Sequence, residues 1–239
     1  MYVEKPSTVR YQVLTVACGL AVLTYVQRQG FIAATPYIKN DLGLHDGQMG
    51  YFLAVWLVAY GIFQVPGGLI GDRIGSRHLL TYLVLGWSLT LVGVALTVFL
   101  PTGGWLPLAV LLMLRFIFGG FQAGVFPGLA RVVADWMPGQ QRGFAQGSIW
   151  TCSRLGGALA PVFVVWLITK VFDGWATPIT LIAGLGMAWC VFFWRWFRNR
   201  PEEMSQVNAA ERELIASNRP AAIGAVSSSP KFLYKSGLK

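Results

Sequence analysis

Negative charge is missing from every stretch of this chain that is long enough to cross a membrane. All ten Asp and Glu residues fall outside those stretches. Charge of either sign is scarce: 12% of residues are charged and 55% are hydrophobic, whereas a soluble domain carries about 25% charged residues. A water-soluble fold is excluded on that ground. Two histidines and three cysteines are also too few for most site chemistry. His45 and His78 lie between the apolar stretches, and Cys18, Cys152 and Cys190 lie in three different ones, so neither a metal site nor a disulfide framework is expected. No nucleophile–base pair is visible, which argues against an enzyme, and no cofactor is implied. Gly184-Leu185-Gly186 follows no strand and is not a nucleotide loop. Sustained strand-period alternation is lacking too, which argues against a β-barrel.

What remains is long apolar sequence. Six segments reach spanning length: Tyr11–Tyr37, Met49–Ile70, Leu79–Leu100, Leu106–Val132, Phe144–Ile168 and Trp175–Phe197, each near or above the ~20 residues a helix needs to cross the hydrocarbon core. Turn-forming or charged breaks separate them, among them Asn40-Asp41-Leu42-Gly43, Asp72-Arg73-Ile74-Gly75, Pro101-Thr102-Gly103-Gly104 and Asp173-Gly174. The net charge of +9 follows this topology. With the N-terminus inside, the inner segments hold nine basic residues and the outer ones only Lys39 and Lys170, the bias expected of a multi-pass protein with both ends cytoplasmic in the inner membrane. Nucleic acid is not an expected partner, because the basic residues form no patch on a soluble face. Trp105, Trp136, Trp175, Trp194 and Trp196 sit near span ends and are expected as interfacial anchors. Residues 1–200 therefore read as a six-span bundle and 201–239 as a polar cytoplasmic linker, with a short amphipathic helix over Asn208–Ser217 and loose sequence at Ser227-Ser228-Ser229-Pro230.

Three cations break the apolar pattern. Arg28, Arg115 and Arg154 sit near the middle of spans one, four and five. An arginine at mid-bilayer costs about 2.5–3.5 kcal/mol even on lenient scales. Three of them without carboxylates predict a positively charged cavity for an anion. Tyr25 and Arg28 share a helix face, as do Thr151 and Arg154, and Arg115, Gly119, Gln122 and Phe126 form one stripe. Guanidinium groups suit bidentate contact with carboxylate or phosphate. For Arg115 a second reading stays open, in which it stiffens the bundle by bonding backbone carbonyls or Gln122. The series Gly120-x-x-x-Gly124-x-x-x-Gly128 and Gly143-x-x-x-Gly147 predicts close helix contacts within the bundle, with dimerisation as the alternative.

The loop after span two reads Gly68-Leu69-Ile70-Gly71-Asp72-Arg73-Ile74-Gly75-Ser76-Arg77. It matches G-x-x-x-D-R-x-G-x-[KR] and resembles the signature loop of the major facilitator superfamily, with Ser76 where a basic residue is common. Tyr25-x-x-Arg28, Ala59-Tyr60-Gly61-x-x-Gln64-x-Pro66-x-Gly68, Leu114-Arg115-Phe116-x-x-Gly119-x-x-Gln122-Ala123-Gly124-x-Phe126-Pro127 and Trp136-Met137-Pro138-x-x-x-Arg142-Gly143 extend the likeness from Tyr11 to about Pro201. Together they resemble the superfamily's anion:cation symporters, carriers of sugar acids and other organic anions, and its organophosphate antiporters.

The resemblance implies an all-α membrane protein whose six-transmembrane-helix bundle is one half of a twelve-helix carrier, the site lying between halves near the midplane. It implies substrate contact by Arg28, Tyr25 and Tyr60, with Gln64 and Arg154 beside them. It places Gln27, Arg115 and Gln122 in the cavity as coupling or structural groups, and Gly68, Asp72, Arg73, Gly75 and Arg77 in the signature loop. The expected partners are a small organic anion, the lipid bilayer, and the C-terminal six-helix half or a second chain that completes the site. The other class of function compatible with the sequence is a non-transporting membrane module that binds an anion or a partner. Related proton symporters carry carboxylates where this chain has Gln27 and Gln122. An amide cannot shuttle a proton, so this half is not expected to couple protons as those relatives do; uniport, anion exchange and coupling through the other half stay open, and the resemblance to the organophosphate antiporters at Gln122 favours exchange.

Overall fold

The computed structural model describes residues 4–217, Gly103 excepted. Five helical runs are long and apolar enough to cross a membrane. The second, Asp46–Phe99, has 54 residues. Kept straight it would be about 80 Å long, well over twice the hydrocarbon thickness, and it folds back instead. The reversal is at Gly75 alone, with φ 81° and ψ 159°, a left-handed conformation that a Cβ would oppose. Asp72, Arg73 and Ile74, expected in the turn, continue the helix up to that point. Six membrane-length helices result: α1 (Val9–Leu42), α2 (46–74), α3 (76–96), α4 (Trp105–Trp136, interrupted at Gly124), α5 (Arg142–Trp166) and α6 (Ala176–Trp196). A short α7 (Ala209–Ser217) follows. Among the described residues there is no strand. Ser227–Pro230 lies outside them.

Helix ends are set locally. Gly43 closes α1 at φ 65°, while Leu44 N–H bonds Lys39 O at 3.0 Å and Gly43 N–H bonds Asn40 O at 3.3 Å, so the orphan carbonyls of the last turn are satisfied. The break predicted over Asn40–Gly43 is thus the final turn of α1 plus its cap. Lateral packing rests on small residues. A Cβ on Gly67 of α2 would lie 2.9 Å from Gly124 Cα of α4, and one on Gly156 of α5 would lie 3.1 Å from Val22 Cα of α1. Gly120 and Gly128 of α4 face Phe63 and Leu80 in the same close manner. Gly143 and Gly147 differ from expectation, since nothing lies within 4 Å of their Cβ positions. The contact between α1 and α5 is made further along the helix, at Gly156 against Val22 and Gly157 against Tyr25.

Two span-end tryptophans are not interfacial. Trp136 and Trp175 are buried. Trp136 Nε1 donates to Arg198 O at 3.2 Å, and Trp175 Nε1 donates to Asp41 Oδ2 at 2.6 Å. Each pins one helix end to a neighbouring segment. Trp105, 77% exposed, keeps the anchor position.

The start of α7 locks onto the start of α1. Glu211 is fully buried and accepts from the backbone N–H of Val9 and Arg10 (3.3 and 3.2 Å), from Arg10 Nη1 (2.8 Å) and from Ser7 Oγ. A carboxylate at a helix N-terminus answers both the orphan amides and the macrodipole. Asn208 Oδ1 accepts from Ser7 N–H at 3.0 Å and Glu211 N–H at 2.9 Å. Residues 201–217 are therefore packed onto the bundle, with Met204, Val207 and Ile215 buried.

Candidate anion site

The site begins with the Arg28 side chain on α1. Its Nε donates to Gln122 Oε1 at 3.0 Å. The guanidinium carbon lies 4.9 Å from the Tyr25 ring centroid, 4.5 Å from Trp56 and 5.2 Å from Tyr60. One turn of α1 and two turns of α2 thus supply three aromatic faces, each worth about 0.5–2 kcal/mol to a cation according to its desolvation. Gln122 is itself fixed from behind, its Nε2 donating to Thr24 O at 3.3 Å. Arg28 Nη2 and Trp56 Nε1 are buried donors with no hydrogen-bond partner. Buried polar groups are nearly always satisfied, and among the described residues Arg115 Nε and Nη1 share this unpartnered state.

Arg154 extends the positive surface. It is exposed, on the open side of α5. Its guanidinium carbon lies 5.9 Å from both the Tyr25 and Trp150 rings. Tyr25 therefore stands between Arg28 and Arg154. Trp150 stacks flat on Phe126 of α4, with centroids 4.6 Å apart and planes at 3°, and Phe126 meets Tyr25 edge-on at 6.2 Å. Gln64, one turn beyond Tyr60, is exposed on the same helix.

Two residues expected in the cavity lie elsewhere. Arg115 is 1% exposed. Its guanidinium carbon is 4.6 Å from the Phe31 ring, 5.3 Å from Phe52 and Phe118, and 5.7 Å from Trp56. It sits behind Trp56 in the packed interior, with Nε and Nη1 unbonded, and it meets neither backbone carbonyls nor Gln122. Gln27, adjacent to Arg28 in sequence, points about 100° away around α1 and is fully buried. Its Nε2 donates to Ile182 O at 2.7 Å, and its Oε1 accepts from Trp87 Nε1. It clamps α1 to α3 and α6.

The signature loop holds the other end of the bundle. Asp72 pairs with Arg131 of α4 at 2.6 Å. Arg77 N–H donates to Asn199 Oδ1 at 2.9 Å, and its Nε donates to Trp194 O at 3.0 Å at the end of α6. A Cβ on Gly75 would come within 2.8 Å of the Asn199 side chain. Arg73 is exposed. Gly68 faces Pro127 of α4 across 3.6 Å. Sequence reasoning missed Trp56, Trp150 and Asn199. The first two lie one turn or less from named residues, but an indole carries no charge that would stand out in an apolar run.

Membrane-length helices around a guanidinium with no ion-pair partner among the described residues define an integral membrane protein of the helical-bundle class. The chain belongs to the Major Facilitator Superfamily, whose sequence profile matches residues 17–238. It is 30% identical over 206 residues to a probable sulfoacetate transporter of Cupriavidus necator, covering 86% of this chain and 46% of that protein. It is 31% identical over 215 residues to a probable galactarate/D-glucarate transporter of Escherichia coli, covering 90% and 46%. It is 29% identical over 182 residues to a hexuronate transporter of Bacillus subtilis, covering 76% and 41%. A solved structure of a bacterial homolog of the human lysosomal transporter Spinster superposes with a TM-score of 0.67 at 19% identity, over 82% of this chain and 44% of that one. The chain spans about half the length of these relatives.

Proposed function

We propose that this bundle is the anion-binding half of a carrier that moves a small organic acid across a membrane by alternating access, and that a second six-helix unit completes the cavity. The observation that carries the reading is the Arg28 guanidinium, held by Gln122 and three aromatic rings, with Nη2 and the neighbouring Trp56 Nε1 left without acceptors. A carboxylate, sulfonate or phosphate supplies acceptors in the plane a guanidinium fork favours. In this reading Tyr25 and Tyr60 meet hydroxyls of the same ligand, and Arg154 meets a second acidic group. Arg154 also supports the second unit. It is exposed beside Leu155 and Leu159 of α5, which are 59% and 67% exposed. Facing lipid at mid-span, that arginine would cost about 2.5–3.5 kcal/mol. A covering half removes the penalty.

The sugar acids and sulfoacetate named for the relatives set the panel for the test. Binding to the purified complete carrier is measured for a hexuronate, glucarate, sulfoacetate, a sugar phosphate and a neutral hexose. The reading requires an acid to bind and the neutral hexose to fail. Equal binding of the neutral sugar would overturn it. Orientation is proposed with the chain start, the Gly75 turn and α7 on the cytoplasmic side of the inner membrane, in keeping with the nine-to-two distribution of basic residues.

A further inference from the structure

Away from Arg28, a crevice of about 640 Å³ runs between α3 and α6 at the end of the bundle that carries the Gly75 turn. Three guanidinium groups stand at it: Arg77 from the start of α3, Arg195 from the last turn of α6, and Arg198 just beyond. Leu85, Met187 and Val191 form its apolar wall, and no carboxylate lines it. Among the described residues none of the three arginines is in an ion pair. Glu203 lines an adjoining hollow with Arg195 and Arg198 but does not reach ion-pair distance.

Two of these cations are held in place with no described carboxylate at ion-pair distance. Arg77 lies 4.6 Å from the Trp194 ring centroid and donates to the Trp194 carbonyl. Arg198 Nη1 donates to the carbonyls of Arg195 and Phe197, each at 2.9 Å. The Arg195 side chain is exposed. Topology alone places arginines at this end of a bundle, but it does not gather them on an apolar slot. Arg73 and Arg200 show the contrast, being exposed at the same end and away from the crevice.

We propose that this crevice binds an anionic phospholipid, its phosphodiester held among Arg77, Arg195 and Arg198 and an acyl chain lying on Leu85, Met187 and Val191. A free phosphate would leave the apolar wall bare. An uncharged acyl chain would leave three cations unanswered. Only an anionic amphiphile meets both, and basic pockets between helices at a membrane surface are suited to such headgroups. Trp194, 36% exposed beside the arginines, sits where an indole meets the interface.

Native mass spectrometry of the full chain, released from detergent containing phosphatidylglycerol or phosphatidylcholine, tests this. Phosphatidylglycerol should be retained preferentially. Arg195→Gln with Arg198→Gln should weaken that retention about tenfold or more, whereas Arg73→Gln with Arg200→Gln should leave it within about twofold. Arg195→Gln alone guards against a folding defect, since that exposed side chain makes no bond in the structure; it should still weaken retention, with an unchanged unfolding temperature. Arg195→Lys with Arg198→Lys should restore most of the preference. Equal retention of the two lipids, or an equal loss in the Arg73 and Arg200 variant, would overturn the proposal and leave only a general surface charge.

Discussion

Arg28 and Arg115 are both cations within the helical bundle, and their surroundings give them different work. Arg28 is only partly buried, and its Nη2 is unbonded. A lysine at 28 retains the charge but loses the fork and the Nε bond to Gln122. A hydrogen bond to a charged group contributes about 1.5–3 kcal/mol, so Arg28→Lys should weaken substrate binding by the complete carrier about 10–100-fold, read by equilibrium binding. Near-normal affinity would remove Arg28 from the site. Arg115 is enclosed by Phe31, Phe52, Trp56 and Phe118. Burying a lone charge is unfavourable, and apolar replacements of similar volume are often tolerated at buried charged positions. Arg115→Met should therefore leave the unfolding temperature unchanged or raised and should reduce substrate affinity less than Arg28→Lys does. Two lower values would make Arg115 a working part of the site. The three mid-span arginines were legible in the sequence as exceptions to hydropathy. Their separation into an open cation, a buried one and an outer one was not, because it depends on which face of each helix meets a neighbour.

At the scale of the helices, run length and breakers were enough to give six spans, and the glycine of the signature loop gave the reversal. The packing partners were less legible. Gly143 and Gly147 have the spacing of a contact motif and touch nothing within 4 Å, while Gly67 and Gly156 carry the close approaches. Spacing alone says that a helix offers a smooth stripe, not what lies across from it. The same limit applies to Trp136 and Trp175, which read as interfacial from position and are buried by adjoining segments. A direct test compares three glycines. Gly67→Leu and Gly156→Leu force a side chain against helix backbone and should each destabilise the bundle by about 1–3 kcal/mol, in the manner of overpacked interiors. A Cβ on Gly184 of α6 meets nothing within 4 Å, so Gly184→Leu should be neutral or mildly stabilising, since leucine is the better helix former. Thermal unfolding in detergent ranks the three. Equal effects would mean that the α2–α4 and α1–α5 contacts are looser than described.

For the molecule as a whole, the exposed residues of α2 and α5 and the lack of a carboxylate paired to Arg28 among the described residues bear on energetics. Topology is the simpler test. Single cysteines at Asp46 and Asp173 should react with an impermeant thiol reagent from outside intact cells, and labelling only after lysis would reverse the proposed orientation. Coupling is the sharper one. Gln122 receives Arg28 where related proton symporters carry a carboxylate, and Gln27 is tied into the α1–α3–α6 interior by both ends of its amide. A carboxylate at 122 would face Arg28 and could be neutralised by protonation as substrate arrives; an amide offers the same acceptor with no proton to exchange. With no carboxylate paired to Arg28 among the described residues, the charge that leaves the site with one anion is most simply replaced by another anion. The complete carrier in proteoliposomes should then exchange internal for external substrate at a rate unaffected by an imposed pH gradient. With no substrate inside, net uptake should be slow. Gln122→Glu should make binding pH-dependent, tighter as pH falls, because the unprotonated glutamate competes with the substrate for Arg28. Uphill accumulation driven by protons alone in the unmodified carrier would reject exchange. Its loss on substitution confined to residues 1–200 would show that this bundle holds a proton carrier that neither glutamine can be.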